Sequence, residues 1–198
     1  MAAIEPVDDV SRETLEAFAK LLMRWTSRIN LVGSADDFEL WDRHIMDCTR
    51  LIDLIPPGRR RYLDIGTGAG LPGLVIAILR PDLEAILIEA DRRKCAFLRA
   101  VRRELSLAIS IHCSRIESVD PVAADVISAR ALAPLSQLLD LSVPHGRQET
   151  MYLFPKGARW EQEVLTAREK WSFDVKPVFP ARGSAGPILQ IKNVSEIT

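Results

Sequence analysis

Residues 62–73 read Tyr62-Leu63-Asp64-Ile65-Gly66-Thr67-Gly68-Ala69-Gly70-Leu71-Pro72-Gly73. A short apolar strand ends in a carboxylate, a turn carrying four glycines follows, and an apolar helix begins behind it. Glycines at a strand-to-helix turn take positive φ without strain and let a ligand approach the backbone. Four of them exceed what a tight βα turn requires. Pro72 suits a first helical turn, where its missing N–H costs nothing. Asp64 sits at the carboxyl end of the strand, where doubly wound sheets hold their ligands. The stretch therefore reads as a cradle for a nucleotide-type cofactor in an α/β fold.

Downstream, apolar strands alternate with helical stretches, the pattern of a mostly parallel sheet with crossover helices. Strands are expected near 61–65, 84–89, 108–113, 124–129 and 150–154, and helices near 72–80, 91–105, 132–141 and 158–170. Pro81 stops the first of these helices and Asp91 caps the second. Residues 173–179 and 188–194 are strand-like, and the segment between them is too short for a crossover helix, so they should pair antiparallel. The expected fold is α/β, Rossmann-like, with a seven-stranded mostly parallel sheet containing one reversed strand. Upstream, Leu15, Phe18, Leu22, Trp25 and Ile29 line one face of a helix over about 8–30. A second helix is expected from Ser34, with Asp37 as a weak cap signal, carrying Trp41, Ile45, Cys48, Ile52 and Ile55 on one side until Pro56-Pro57-Gly58. The chain thus divides into a helical extension, 1–58, packed on a cofactor-binding core, 59–198.

The 198 residues suit one α/β domain with a small extension, and a net charge of −1 denies the chain a global basic field. Any nucleic-acid partner must be gripped by local Arg and Lys patches. Cys48, Cys95 and Cys113 are an odd number without Cys-x-x-Cys spacing, which argues for reduced thiols and against a disulfide framework or zinc site. His44, His112 and His145 lack ligand spacing, so no metal is expected. No signal-like N-terminus or apolar run of membrane-spanning length is present, so the expected location is the cytoplasm, away from membranes.

Two cofactors fit the turn. Gly68-Ala69-Gly70-Leu71-Pro72-Gly73 satisfies the dinucleotide pattern G-x-G-x-x-G, and Glu89 follows at the end of the next strand as a ribose-binding acid, which keeps NAD open. Read one step earlier, Asp64-x-Gly66-x-Gly68-x-Gly70 matches the first motif of S-adenosylmethionine-dependent methyltransferases. Asp64 suits that cofactor's cationic amino-acid part, directly or through water, whereas it would repel a pyrophosphate. Glu89 serves either ribose.

The stretch 64–73 also resembles the RsmG (GidB) family of bacterial methyltransferases acting on guanine N7 of small-subunit ribosomal RNA. Further pieces agree in order: Trp25 with Ile29-Asn30-Leu31, Arg43-His44-Ile45-Met46-Asp47, Arg80-Pro81, Lys94-x-x-Phe97-Leu98, Ser114-Arg115-Ile116-Glu117, Ser128-Ala129-Arg130-Ala131 and Lys156-Gly157. The resemblance spans nearly the whole chain and implies a class I methyltransferase core. By position it implies cofactor contacts for Gly66 and Leu71 at methionine and ribose, for Ile116 and Glu117 at adenine, and for Arg130. It places Arg130 and Lys156 at the catalytic cleft, and implies 16S ribosomal RNA, within the small subunit or a precursor, as partner of a monomeric enzyme. Glu89 stands where the family commonly has Asp, Cys48 where Ser is common, and Thr26 where Asn often follows the tryptophan.

The residues after the fourth strand narrow the reaction independently. Exocyclic-amine methylation relies on an Asp/Asn-Pro-Pro-aromatic loop there, and this chain has Ser128-Ala129-Arg130-Ala131. Pyrimidine C5 methylation needs a nucleophilic cysteine, and all three cysteines fall inside helical or strand patterns. Guanine N7 carries a lone pair and no proton, so positioning suffices. Arg130 can orient guanine through O6 or a nearby phosphate, and Lys156 can grip phosphate or base edges. A non-catalytic RNA-binding module stands as a further alternative. The runs Arg59-Arg60-Arg61 and Arg92-Arg93-Lys94, with Arg99, Arg102 and Arg103, read first as solvated surface and second as an RNA footprint. Arg182 is a weak RNA candidate, and Phe18, Trp25 and Trp41 read as core rather than base-stacking groups.

Overall fold

A computed structural model describes residues 8–33, 41–179 and 186–197. The Ser34 and Asp37 cap signal and Arg182 lie outside the described residues, as does the side chain of Arg43. Helix α1 (Asp9–Thr26) is capped by Asp8, whose carboxylate accepts from the Ser11 N–H, and it buries Leu15, Phe18, Leu21 and Leu22. Trp25 and Ile29 pack half-buried at its end. The expected second helix is instead a chain of short turns: a π-helical turn (Trp41–Met46), one α-turn (Asp47–Thr49) and a 3-10 turn (Ile52–Leu54). The apolar spacing survives, since Ile45, Cys48 and Ile55 are buried. The winding does not, and side chains take over acceptors a regular helix would use: the Cys48 thiol donates to the His44 carbonyl and the Thr49 hydroxyl to that of Met46.

From Arg61 the chain alternates as expected through β1 (Arg61–Ile65), α2 (Gly73–Leu79), β2 (Glu84–Glu89), α3 (Arg92–Glu104) and β3 (Ile109–Cys113). A 3-10 turn (Ile116–Ser118) leads to β4 (Val126–Ser128), followed by α4 (Leu135–Ser142), β5 (Met151–Pro155), α5 (Trp160–Ala167), β6 (Trp171–Val178) and β7 (Ile188–Glu196). The seven strands form one sheet ordered β3-β2-β1-β4-β5-β7-β6. The first five are parallel, and β7 runs antiparallel to both β5 and β6, with Val178 opposite Ile188. This is the Rossmann-like, mostly parallel sheet with one reversed strand that the sequence predicts. Strand side chains alternate between two apolar layers. Tyr62 joins Phe18, Leu22, Leu74 and Phe97 on one face, while Leu63 and Ile65 join Leu135, Leu139 and Val164 on the other. Among the described residues no helix is long and apolar enough to cross a membrane.

Two boundaries differ in a way that shapes the site. The strand expected over 124–129 is only Val126–Ser128, and just ahead of it the Asp125 carboxylate accepts from the Arg60 and Arg61 N–H groups at 2.8 and 2.9 Å. The helix expected from 132 begins at Leu135, behind Pro134, so 130–134 is a loop with Ala131 at φ 52°. Proline blocks helix ahead of itself and is tolerated only at the helix start.

Candidate active site

The glycine turn is held from inside by Asp64. Its Oδ2 accepts from the Thr67 hydroxyl at 2.5 Å and the Gly73 N–H at 3.0 Å, and its Oδ1 accepts from the Ser128 hydroxyl at 2.6 Å. Because the Ser128 proton goes to Asp64, the Tyr62 hydroxyl, 2.6 Å away, donates to Ser128 and extends the chain across β1 and β4. Asp64 has no solvent exposure, and burial raises its pKa to about 6 against the opposing pull of these donors and Arg130. The Asp64 carboxylate, expected to meet the cofactor's amino-acid part directly or through water, faces inward in this structure and shapes the turn through these three donors.

Two glycines show why the motif is built as it is. Gly68 has φ +58° and a Cβ there would meet only the Gly66 carbonyl oxygen at 3.9 Å, so this part of the turn fronts open space. Gly73 packs so closely that a Cβ would collide with Leu87 and lie 2.7 Å from the Asp64 carboxylate. Glu89, at the end of β2, accepts from the Gly68 N–H and the Asp91 N–H, each at 2.8 Å, and so bridges the turn to the start of α3. The open front at Gly68, the adjacent acid and the strand-end position fit a nucleoside-bearing cofactor at the switch point between β1 and β4. Gly66, Gly70 and Leu71 complete the turn, and the Leu132 side chain lies against Gly66. Ile116 follows β3; its side chain is buried in the apolar layer with Ile65 and Ile88, and its carbonyl accepts from His145 Nε2 at 3.1 Å. Glu117 beside it is exposed.

Arg130 and Lys156 come together in a cavity of about 500 Å3, which Asp47, Arg50, Leu132, Glu163 and Gly186 also line. Arg130 Nη2 lies 3.3 Å from His44 Nδ1. The π-helical turn thereby places His44 at the cleft. Lys156, expected to grip phosphate or base edges, is held within the protein here. Its Nζ donates to the Ala133 carbonyl at 2.9 Å and to Glu163 Oε2 at 2.6 Å, because its stem is packed inside the cleft wall. Sequence reasoning missed Glu163 and Arg50. Glu163 sits seven residues after Lys156 on α5, and only the return of that helix against the β4–α4 loop brings the two together. Arg50 pairs with Asp47 at 2.6 Å and donates to the Gly186 carbonyl.

The family model described as GidB, rRNA small subunit methyltransferase G, matches residues 11–185. The chain is 42% identical over 196 residues to the ribosomal RNA small subunit methyltransferase G of Ruegeria sp. (strain TM1040), covering 96% of this chain and 95% of that one. It is 44% identical over 190 residues to the corresponding enzyme of Paramagnetospirillum magneticum (strain ATCC 700264 / AMB-1), covering 94% and 92%. Among solved structures, an MtNAS variant in complex with S-adenosylmethionine superimposes with a TM-score of 0.63 at 14% identity, over 96% of this chain and 77% of that one. M. jannaschii TYW2 in complex with AdoMet gives a TM-score of 0.60 at 11% identity, over 85% and 80%. These structures share the fold. With a family model matched over most of its length and relatives this similar end to end, the chain belongs to the ribosomal RNA small subunit methyltransferase G family.

Proposed function

We propose that the protein transfers a methyl group from S-adenosylmethionine to N7 of a guanine in 16S ribosomal RNA, within the small subunit or a precursor of it. The observation that carries this reading is the convergence of Arg130 and Lys156 on one cavity whose Leu132 also lies against Gly66 of the glycine turn. The cofactor supplies an electrophilic sulfonium methyl. The turn from Gly66 to Leu71 and the Glu89 carboxylate would hold it, with Ile116 and Glu117 on the adenine side and Arg130 between cofactor and acceptor.

The protein's own part is positioning. Guanine N7 carries a lone pair and no proton, so the protein would have to hold it against the donor's methyl group, and no general base is needed. Holding reactants at attack geometry lowers barriers by about 7–11 kcal/mol in favourable intramolecular cases. Arg130 donates to guanine O6 or a phosphate and leaves N7 free. Burial pushes the Cys48 and Cys95 thiols up to about 12, which keeps both protonated at neutral pH and argues against a cysteine-nucleophile route. Glu163 and Asp47 are already engaged by Lys156 and Arg50.

The family assignment favours the methyl donor over NAD. The test incubates the protein with S-adenosylmethionine labelled in the methyl group and small subunits from cells lacking this activity, then maps the modified base. Label at guanine N7 is expected, and Arg130→Ala should lower transfer by about a hundredfold. Saturable binding of NAD without binding of S-adenosylmethionine would sink the reading, and binding without transfer would leave an RNA-binding module. Sedimentation at working concentration tests the expected monomer.

A further inference from the structure

The segment from Arg130 to Leu135 carries the acceptor-side arginine at one end, and its Leu132 side chain rests on Gly66 of the cofactor turn. Ala131 stands at φ 52°, a left-handed conformation that costs an L-residue energy, and α4 begins at Leu135 behind Pro134, an N-cap residue that supplies no capping hydrogen bond. The first N–H groups of a helix have no partner inside it.

Glu163 of α5 supplies what is missing. Its Oε2 accepts from the Leu135 N–H at 2.9 Å and from Lys156 Nζ at 2.6 Å, and the same ammonium donates to the Ala133 carbonyl at 2.9 Å. One carboxylate thus ties the end of β5, the β4–α4 loop and the start of α4 together. This is not an ordinary surface ion pair, because the Lys156 side chain is 7% exposed and Glu163 26%. Removing the carboxylate would leave a largely buried ammonium without its counter-charge.

We infer that Glu163 is a positioning residue for methyl transfer: through Lys156 and the Leu135 N–H it holds the 130–135 segment so that Arg130 is aimed at the acceptor. The inference rests on the acceptor reading of the cleft and deepens it. Lys156 accordingly serves the transfer through the loop it fastens.

The test combines Glu163→Gln with Arg130→Ala. Glutamine keeps the shape and an acceptor for the Leu135 N–H but removes the charge that binds Lys156. In otherwise unaltered enzyme, Glu163→Gln is expected to lower kcat for transfer to small subunits by between about ten- and a hundredfold, with affinity for S-adenosylmethionine nearly unchanged. In the Arg130→Ala background the same substitution should cost nothing further, as for two residues acting through one group. Amide hydrogen exchange in peptides covering 130–135 should rise, while peptides from α3 keep their protection. Equal losses in both backgrounds, full activity of Glu163→Gln, or unchanged exchange at 130–135 would overturn the proposal. An inactive parent enzyme would count against the acceptor reading alone, and the exchange measurement would still decide the role of Glu163.

Discussion

Asp64 shows how a residue singled out by the sequence takes partners that only the fold supplies. Its sequence position beside the glycines is that of a ligand-facing acid, yet its oxygens accept from Thr67, Ser128 and Gly73 inside the turn. Its pKa of about 6 gives a signed prediction, since the raised value means the folded state binds the proton more tightly than the unfolded chain. The stabilisation is fully present below the unfolded value of 3.8 and is lost as pH rises through about 6. At roughly 1.4 kcal/mol per pKa unit this amounts to about 3 kcal/mol. Asp64→Asn does not titrate, so the stability of the parent relative to this variant should fall by about that amount between pH 4 and 7. Denaturant unfolding across that range measures it. At Gly68, Gly68→Ala should cost about 1–2 kcal/mol of stability through its φ of +58°. Because the added methyl points into the open front of the turn, its affinity for S-adenosylmethionine, read by calorimetric titration, should fall by more than that strain explains.

Among the elements, the seam between β1 and β4 matters most, because Asp64 and Ser128 face each other in register there. The parallel alternation was legible from strand-like runs separated by helical ones, but the register was not, since nothing local says which residue of a later strand lies opposite Asp64. Ser128→Ala removes a donor from a buried carboxylate and should cost about 1–3 kcal/mol. It should also move the Asp64 titration, followed by carbon-13 resonance of its carboxyl, above about 6, because the Ser128 hydrogen bond lowers that pKa. The 41–55 segment shows the opposite failure. Its apolar spacing correctly marked the inward side, but periodicity carries no information about winding once Cys48 and Thr49 bond back to nearby carbonyls. The resulting π-helical turn brings His44 to Arg130, a juxtaposition no spacing rule contains.

At the scale of the molecule, the N-terminal helix is not loosely appended. Phe18 and Leu22 of α1 are fully buried in the same apolar layer as Leu74 of α2 and Phe97 of α3, with the Phe18 and Phe97 rings 6.5 Å apart. The division at residue 58 is therefore proposed as that of an extension packed on the core, not of two independently folding units. Phe18→Ala should destabilise the protein by about 3–5 kcal/mol and leave one cooperative unfolding transition in scanning calorimetry. Two separated transitions would show that extension and core unfold independently.

What the amino-acid sequence determined by itself is the set of properties written in local pattern: the apolar faces, the alternation that yields a parallel sheet, the reversed terminal pair and the glycine turn at the end of β1. Each follows from backbone preferences and burial over a few neighbouring residues. Whether the cofactor was NAD or S-adenosylmethionine was weighed by one carboxylate and decided by the family to which the chain belongs. Only the tertiary structure turned Asp64 inward, passed Lys156 to Glu163 and set Arg130 against His44. Those outcomes depend on strand register, on the return path of α5 and on the desolvation of groups far apart in sequence, and such quantities exist only once the chain is packed.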